Sequence, residues 1–111
     1  MNDNFIHKWK SQVKKGTLAF IALNVLQDNE YYGYELIEQI KKNTKIEIAE
    51  GTLYPLMNRL KKENLVASKW VEQESGIPRK YYTLTETGQE TLIQMRIFWI
   101  DLEKSIKKMS E

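Results

Sequence analysis

The sequence predicts a mainly α-helical fold with one small β-hairpin, and three observations carry that expectation. Residues 51–62 place Leu53, Leu56, Met57 and Leu60 at i, i+3, i+4, i+7, the buried face of a short helix. Residues 66–84 alternate as two strands on either side of a turn-forming cluster, residues 73–78, that contains Gly76 and Pro78. Residues 85–109 continue as one long helix with apolar positions at 3-4 spacing. A helix with a polar and basic outer face followed by a basic hairpin is the sequence form of a winged helix-turn-helix. One domain over 1–111 is expected, with the winged helix-turn-helix over about 4–84 and a C-terminal dimerisation helix over about 85–109.

The composition narrows the function classes. A chain of 111 residues, 41% hydrophobic and 29% charged, can bury one core and has the balance of a soluble globular protein. No cysteine and a single histidine, His7, leave no means to build a disulfide, a cysteine or histidine metal cluster, or most catalytic triads. No Asp/Glu pair sits on an apolar background, so neither an enzyme, a cofactor nor a metal is expected. No apolar run is long enough for a bilayer and the N-terminus lacks a signal-peptide pattern, so no membrane partner and a cytoplasmic location are expected. The net charge is only +2, but acids collect around residues 28–50 while bases gather near the N-terminus, at 59–62 and at 79–80. That asymmetry suits one anionic partner surface.

Each element can be justified in order. A first helix is expected over about 4–27 with Asp3 as N-cap. Leu18, Ile21, Ala22 and Val25 form its core face, and Val13, Gly16, Phe20 and Leu23 form a second seam, with Phe5, Ile6 and Trp9 upstream. A helix apolar on two sides needs two surfaces to pack on. Gly16 costs helix stability by roughly 1 kcal/mol against Ala, so the helix either bends there or starts later. Gly33 opens a second helix, with Tyr34, Leu36, Ile37 and Ile40 turned inward and an end near Asn43. Ile46 and Ile48 alternate as a short strand or an extended link. Thr52 is the expected N-cap of the third helix, with Pro55 in its first turn and Asn64 as a left-handed stop. Strands follow over Val66 to Glu72 and Arg79 to Leu84, with one of Tyr81 and Tyr82 in the core and one outward. Thr85 caps the final helix, where Glu86 suits the helix dipole.

In that final helix Leu92, Met95, Trp99, Leu102, Ile106 and Met109 are spaced 3, 4, 3, 4, 3, a coiled-coil-like seam, and Ile93, Ile97, Phe98 and Ile100 widen it. Either the seam packs on the first helix of its own chain, or the first and last helices of two subunits pack together. The second arrangement accounts for both surpluses, so the expected interface of a homodimer comprises Val13, Phe20, Leu92, Met95, Trp99, Leu102 and Ile106. Two recognition helices one duplex turn apart would read a near-palindromic site.

For contact with double-stranded DNA, Tyr54, Asn58 and Arg59 come first. Asn pairs with the major-groove edge of adenine and Arg with guanine. Arg59 has an alternative partner in Glu63 at i+4. Thr52 shares their face, Lys61 and Lys62 suit phosphates, and Arg79 and Lys80, with Lys69, form the basic side of the wing. Tyr34, at the start of the second helix, either meets a phosphate at the helix N-terminus or packs at the core edge. Trp9 and Trp70 read as packing or wing residues and His7 as a surface residue. The alternative function is a winged-helix protein-interaction module without sequence-specific DNA binding.

Four motifs in register carry a family resemblance: Tyr-Gly-Tyr-Glu-Leu at 32–36, Gly-Thr-Leu-Tyr-Pro-Leu at 51–56, Arg-Leu at 59–60 and Arg-Lys-Tyr-Tyr-Thr-Leu-Thr-Glu-Thr-Gly at 79–88. Over about residues 13–106 the chain resembles the PadR-like transcriptional regulators, and its compact length resembles their multidrug-sensing branch. The resemblance implies a winged-helix dimer that represses nearby genes and is released by a small molecule or a stress signal. It also implies that Trp99 matches a tryptophan lining a pocket at the dimer centre, with Phe20 on a helix position that faces that pocket. A planar aromatic, cationic molecule would then stack on Trp99 with Val13, Gly16, Phe20 and Leu102 around it and Glu103 as counter-charge. Trp99 has the plainer alternative of an interface anchor.

Overall fold

The computed structural model describes residues 2–111 as four helices and a three-stranded antiparallel sheet. The elements are α1 (Asp3–Val25), β1 (Tyr31–Tyr32), α2 (Gly33–Thr44), α3 (Glu50–Lys62), β2 (Val66–Val71), β3 (Arg79–Leu84) and α4 (Glu86–Met109). The strand order is β1-β3-β2. In the hairpin, Val66 pairs with Leu84 and Val71 with Arg79.

The core draws one face from every helix. Leu18, Ala22, Leu23 and Leu26 come from α1 and its end, Leu36 and Ile40 from α2, and Leu53, Leu56, Met57 and Leu60 from α3. Val66, Tyr82 and Leu92 close it. The four apolar positions read from the sequence of α3 are all buried, because their spacing returns them to one side every turn.

Local chemistry sets the boundaries. Asn64 adopts the left-handed conformation, φ 61°, and Leu65 N–H bonds back to Leu60 C=O at 3.0 Å, closing the end of α3. The Thr85 hydroxyl accepts from Gly88 N–H at 2.9 Å and donates to Asn64 C=O at 2.7 Å. One threonine thus caps α4 and pins it to the end of α3. Gly88 is buried there, and a Cβ on it would overlap the Leu65 carbonyl.

Several expectations need correction. The α1 cap is Asn2, whose side chain accepts from Phe5 N–H at 2.9 Å, so Asp3 is already helical. Helix α1 passes unbroken through Gly16. Leu23 belongs to the core and not to the second seam. Tyr34 is 55% exposed and does not turn inward. Helix α3 starts two residues before Thr52, with Ala49 as its cap, and Pro55 therefore lies inside the helix rather than in its first turn. Ile46 and Ile48 pack on the core as an extended link. The strand that the pattern did not reveal is β1, which pairs Tyr31 with Tyr82 and Tyr32 with Tyr81.

Leu92 also departs from expectation. It is 2% exposed and completes the core of its own chain, because the first turns of α4 lie against the body before the helix leaves it. Met95 packs partly on the same core. Beyond Arg96 no residue of α4 is buried. Phe98, Trp99, Leu102 and Ile106 stay open to solvent, between 40% and 68% exposed.

Candidate nucleic-acid interface

Helix α3 buries its apolar side and turns Thr52, Tyr54, Asn58, Arg59 and Lys62 outward. Among the described residues none of these five side chains is tied into a hydrogen bond or ion pair of the chain. Lys61 differs, since its ammonium donates to the Ser68 hydroxyl of β2 at 2.8 Å. Arg59 forms no ion pair with Glu63 among the described residues. The face is a row of free donors and acceptors on a rigid helix, the form that base edges and phosphates require.

The wing beside it is held by rings and cations. Adjacent strand residues point to opposite faces, so Arg79 and Lys80 diverge. The Arg79 guanidinium lies over the Tyr32 ring at 4.4 Å from its centroid, and Tyr32 meets Tyr81 edge-on at 5.6 Å. Tyr34 stacks near Tyr32 at 6.5 Å. On the other face the Lys80 ammonium lies 5.8 Å from the Trp70 ring centroid and 5.9 Å from that of Tyr82. Such contacts fix the long basic side chains along the ring faces while leaving their charge available. Lys69 does not join this basic side freely, because it pairs with Glu30 at 3.2 Å.

Between α3, the start of α2 and the hairpin runs a cleft of about 380 Å³, bordered by Gly33, Tyr54, Asn58, Trp70, Lys80 and Tyr82. Tyr54 lies against Gly33 so closely that a Cβ there would overlap its hydroxyl. Burial, and secondarily the Glu50 carboxylate, raise the Tyr54 pKa. The phenol is therefore a neutral donor in ordinary conditions. The chain thus brings Tyr54, Asn58 and Lys80 to one cleft, sets Arg79 at its rim, and places Thr52, Arg59 and Lys62 along the outer side of α3.

A second candidate region lies at the α1–α4 junction. Phe20 and Trp99 meet at 5.8 Å between centroids, tilted by 45°. Arg96, one turn before, donates from Nη2 and Nε to Asn24 Oδ1 at 2.6 and 3.1 Å and also bonds Gln27. The Phe20–Trp99 contact separates grooves rather than bounding one. Gly16, Phe20, Trp99 and Leu102 line a groove of about 390 Å³. Val13, Phe20 and Trp99 line another of about 640 Å³ towards α2. Glu103 lies with Trp99 and Leu102 on a third, and pairs with Lys107 at 3.3 Å. Among the described residues no cluster of acids or histidine is placed to hold a metal, and no helix is long and apolar enough to cross a membrane.

Comparison with known proteins places this geometry. The model of the transcriptional regulator PadR-like family matches residues 22–94, more than half of the chain. The structure resembles that of a PadR family transcriptional regulator from Eggerthella lenta DSM 2243, at 34% identity and TM-score 0.87, covering 98% of this chain and 95% of that one. It also resembles a PadR-like transcriptional regulator from Bacillus cereus, at 31% identity and TM-score 0.80, over 90% of this chain and 97% of that one. The transcriptional regulator YqjI of Escherichia coli is 31% identical over 83% of this chain, which spans only 44% of that regulator. These matches cover α2, α3, the hairpin and the root of α4 together. The chain belongs to the PadR-like family of transcriptional regulators.

Proposed function

We propose that this regulator is a homodimeric repressor that binds a near-palindromic duplex operator and is released by a planar aromatic molecule. The observation that carries the DNA-reading part is the outer face of α3, where Thr52, Tyr54, Asn58, Arg59 and Lys62 are exposed beside a wing bearing Arg79 and Lys80. In this reading α3 enters the major groove, with Asn58 and Arg59 on base edges and Tyr54, Thr52 and Lys62 supporting them. Lys80 and Arg79 reach backbone or minor groove from the wing, and Tyr34 meets a phosphate near the start of α2.

The dimer follows from the exposed apolar surface of α4 beyond Arg96 and from Phe5, Trp9 and Val13 on α1. Apolar surface of this extent marks an interaction surface, which supports a second copy as the partner. Val13, Phe20, Met95, Trp99, Leu102 and Ile106 form the seam, without Leu92. An inducer would stack on Trp99 in the grooves that adjoin Phe20, and it acts only if it prefers one spacing of the two α3 helices.

Selection of bound sequences from a random duplex pool tests the reading. Recovery of a two-fold symmetric site, bound more tightly than random DNA, is the expected result. No enrichment over the starting pool would contradict it.

A further inference from the structure

The polar group hardest to explain by folding alone is the hydroxyl of Tyr82. This residue sits in the middle of β3 and is 1% exposed. Its hydroxyl takes part in no hydrogen bond with the rest of the described chain, yet among the described residues no fully buried polar side-chain atom lacks a partner. The hydroxyl therefore keeps part of the little surface that Tyr82 retains, and the residue lines the cleft of about 380 Å³. A phenylalanine would fill the same core space without a stranded donor. An acceptor from outside the chain accounts for the tyrosine.

The surroundings of that hydroxyl select an anion. Gly33 is the first residue of α2, a helix of 12 residues, and it lines the same cleft. First-turn N–H groups have no acceptor within the helix and favour negative charge. Tyr54 lies against Gly33 and its hydroxyl also lacks a partner among the described residues. Burial keeps both phenols protonated, aided at Tyr54 by Glu50 and at Tyr82 by Tyr54. Lys80, on the same sheet face as Tyr82, adds a positive charge. Glu35, in the first turn of α2, accepts from the Tyr32 N–H at 3.1 Å, so its carboxylate is turned back onto the cap residue.

Position in the fold narrows the anion further. The cleft lies between α3 and the hairpin. With α3 in the major groove and the wing at the neighbouring minor groove, one sugar-phosphate strand must pass between them. We propose that this cleft seats one phosphodiester of that strand. The Tyr82 and Tyr54 hydroxyls donate to its non-bridging oxygens, the N-terminus of α2 faces it, and Lys80 balances its charge. The seat rests on the duplex-binding reading above and adds Tyr82 and Gly33 to it. The two residues hold the strand at one depth and so set how far α3 enters the groove.

The test compares duplex binding of the full chain with Tyr82→Phe and Gly33→Ala across a salt series. The probes are the operator recovered by selection and a mixed-sequence duplex of equal length. Tyr82→Phe is expected to bind both about ten-fold more weakly per seat, the usual effect of losing a hydrogen bond to a charged group. Its salt slope should stay unchanged, because a hydroxyl releases no counterion. Its melting temperature should hold or rise. Gly33→Ala, which drives Tyr54 off the helix end, should give the same pattern and decides the matter if Tyr82→Phe melts lower. A neutral methylphosphonate at the seated position should weaken the unaltered chain more than it weakens Tyr82→Phe, which keeps Tyr54, Lys80 and the helix end but has already lost one donor. Undiminished binding by both variants would overturn the seat and leave duplex binding standing. A loss confined to the selected operator would also overturn it, by making Tyr82 a base reader. Failure of the unaltered chain to bind either duplex would remove the seat together with the reading beneath it.

Discussion

The winged-helix body and the outer part of α4 use apolar residues in opposite ways. In the body, Leu23, Leu36, Ile40, Leu53 and Met57 are completely buried, and each helix offers one apolar face to a shared centre. In α4 beyond Arg96, Ile97, Phe98, Trp99, Ile100, Leu102 and Ile106 are all at least 40% exposed, and the apolar residues lie nearly all round the helix. Composition does not separate the two regions; surroundings do. The body can satisfy itself, while the tail holds surface that its own chain does not reach. The joint between them is strongly built. Thr85 ties α4 to the end of α3, Leu92 completes the core, and Arg96 clamps Asn24 and Gln27 of the α1 end. A tail rooted in this way links its position to that of α3, as the proposed dimer would require to set the spacing of two α3 helices.

Mutations can sharpen this contrast, and the largest effect belongs to the body. Leu53→Ala should destabilise the fold by about 2–5 kcal/mol, since a fully buried leucine leaves a cavity that its neighbours only partly fill. Chemical denaturation would measure it, and a loss below 1 kcal/mol would mean that α3 is less well packed than described. Next comes the reading face. Asn58→Ala or Arg59→Ala should cost about 1–3 kcal/mol on the selected operator and little on random DNA. Lys80→Ala should weaken both alike and flatten the salt dependence. Equal losses from all three on both duplexes would show that the base readers lie elsewhere. A smaller effect is expected in the tail. Trp99→Ala should lower affinity for a planar cationic dye by about 1–2 kcal/mol, followed by fluorescence anisotropy of the dye. Full affinity in the variant would leave Trp99 as an interface anchor.

The smallest effect concerns pH. Burial raises the pKa of Tyr54 and Tyr82 above the ordinary value of 10.0. A phenol whose folded pKa is raised binds its proton more tightly in the folded state. The resulting stability is complete below the unfolded pKa and is lost as the pH climbs through 10 and past the folded value. Tyr82→Phe should lessen this alkaline loss, as a melting series between neutral and strongly alkaline pH would record. An identical alkaline profile in the variant would assign the loss to other groups.

How much of this was legible in the sequence depended on whether the signal was local. Helix α3 was readable because Leu53, Leu56, Met57 and Leu60 repeat at the helical period. Its start was not, because Glu50 and Gly51 joined the helix ahead of Thr52, and Ala49 is no signal for a cap. The Thr85 cap and the strand Arg79–Leu84 were readable for the same local reasons. Strand β1 was not, since two residues show no alternation and Tyr31–Tyr32 is a strand only through its pairing with β3. Leu92 misled because a 3-4 repeat states which residues share a stripe but not where a helix leaves its domain. At the site, the outer residues of α3 and the basic wing residues were visible by type and spacing. The direction of Lys69 towards Glu30 and the unpaired hydroxyl of Tyr82 were not. Adjacent tyrosines at 81 and 82 imply one inward ring, and only the packed sheet reveals which one and what its oxygen faces.

The most direct test of the central claim, that the tail is built for a second copy, is sedimentation of the unaltered chain beside Leu102→Glu over a wide concentration range. Leu102 is 41% exposed in the single chain, so the change removes no core contact. A species of twice 13.2 kDa is expected for the unaltered chain. For the variant a 13.2 kDa monomer with an intact body is expected, or a dimer only at far higher concentration. A well-folded unaltered chain that stays at 13.2 kDa throughout would contradict the claim.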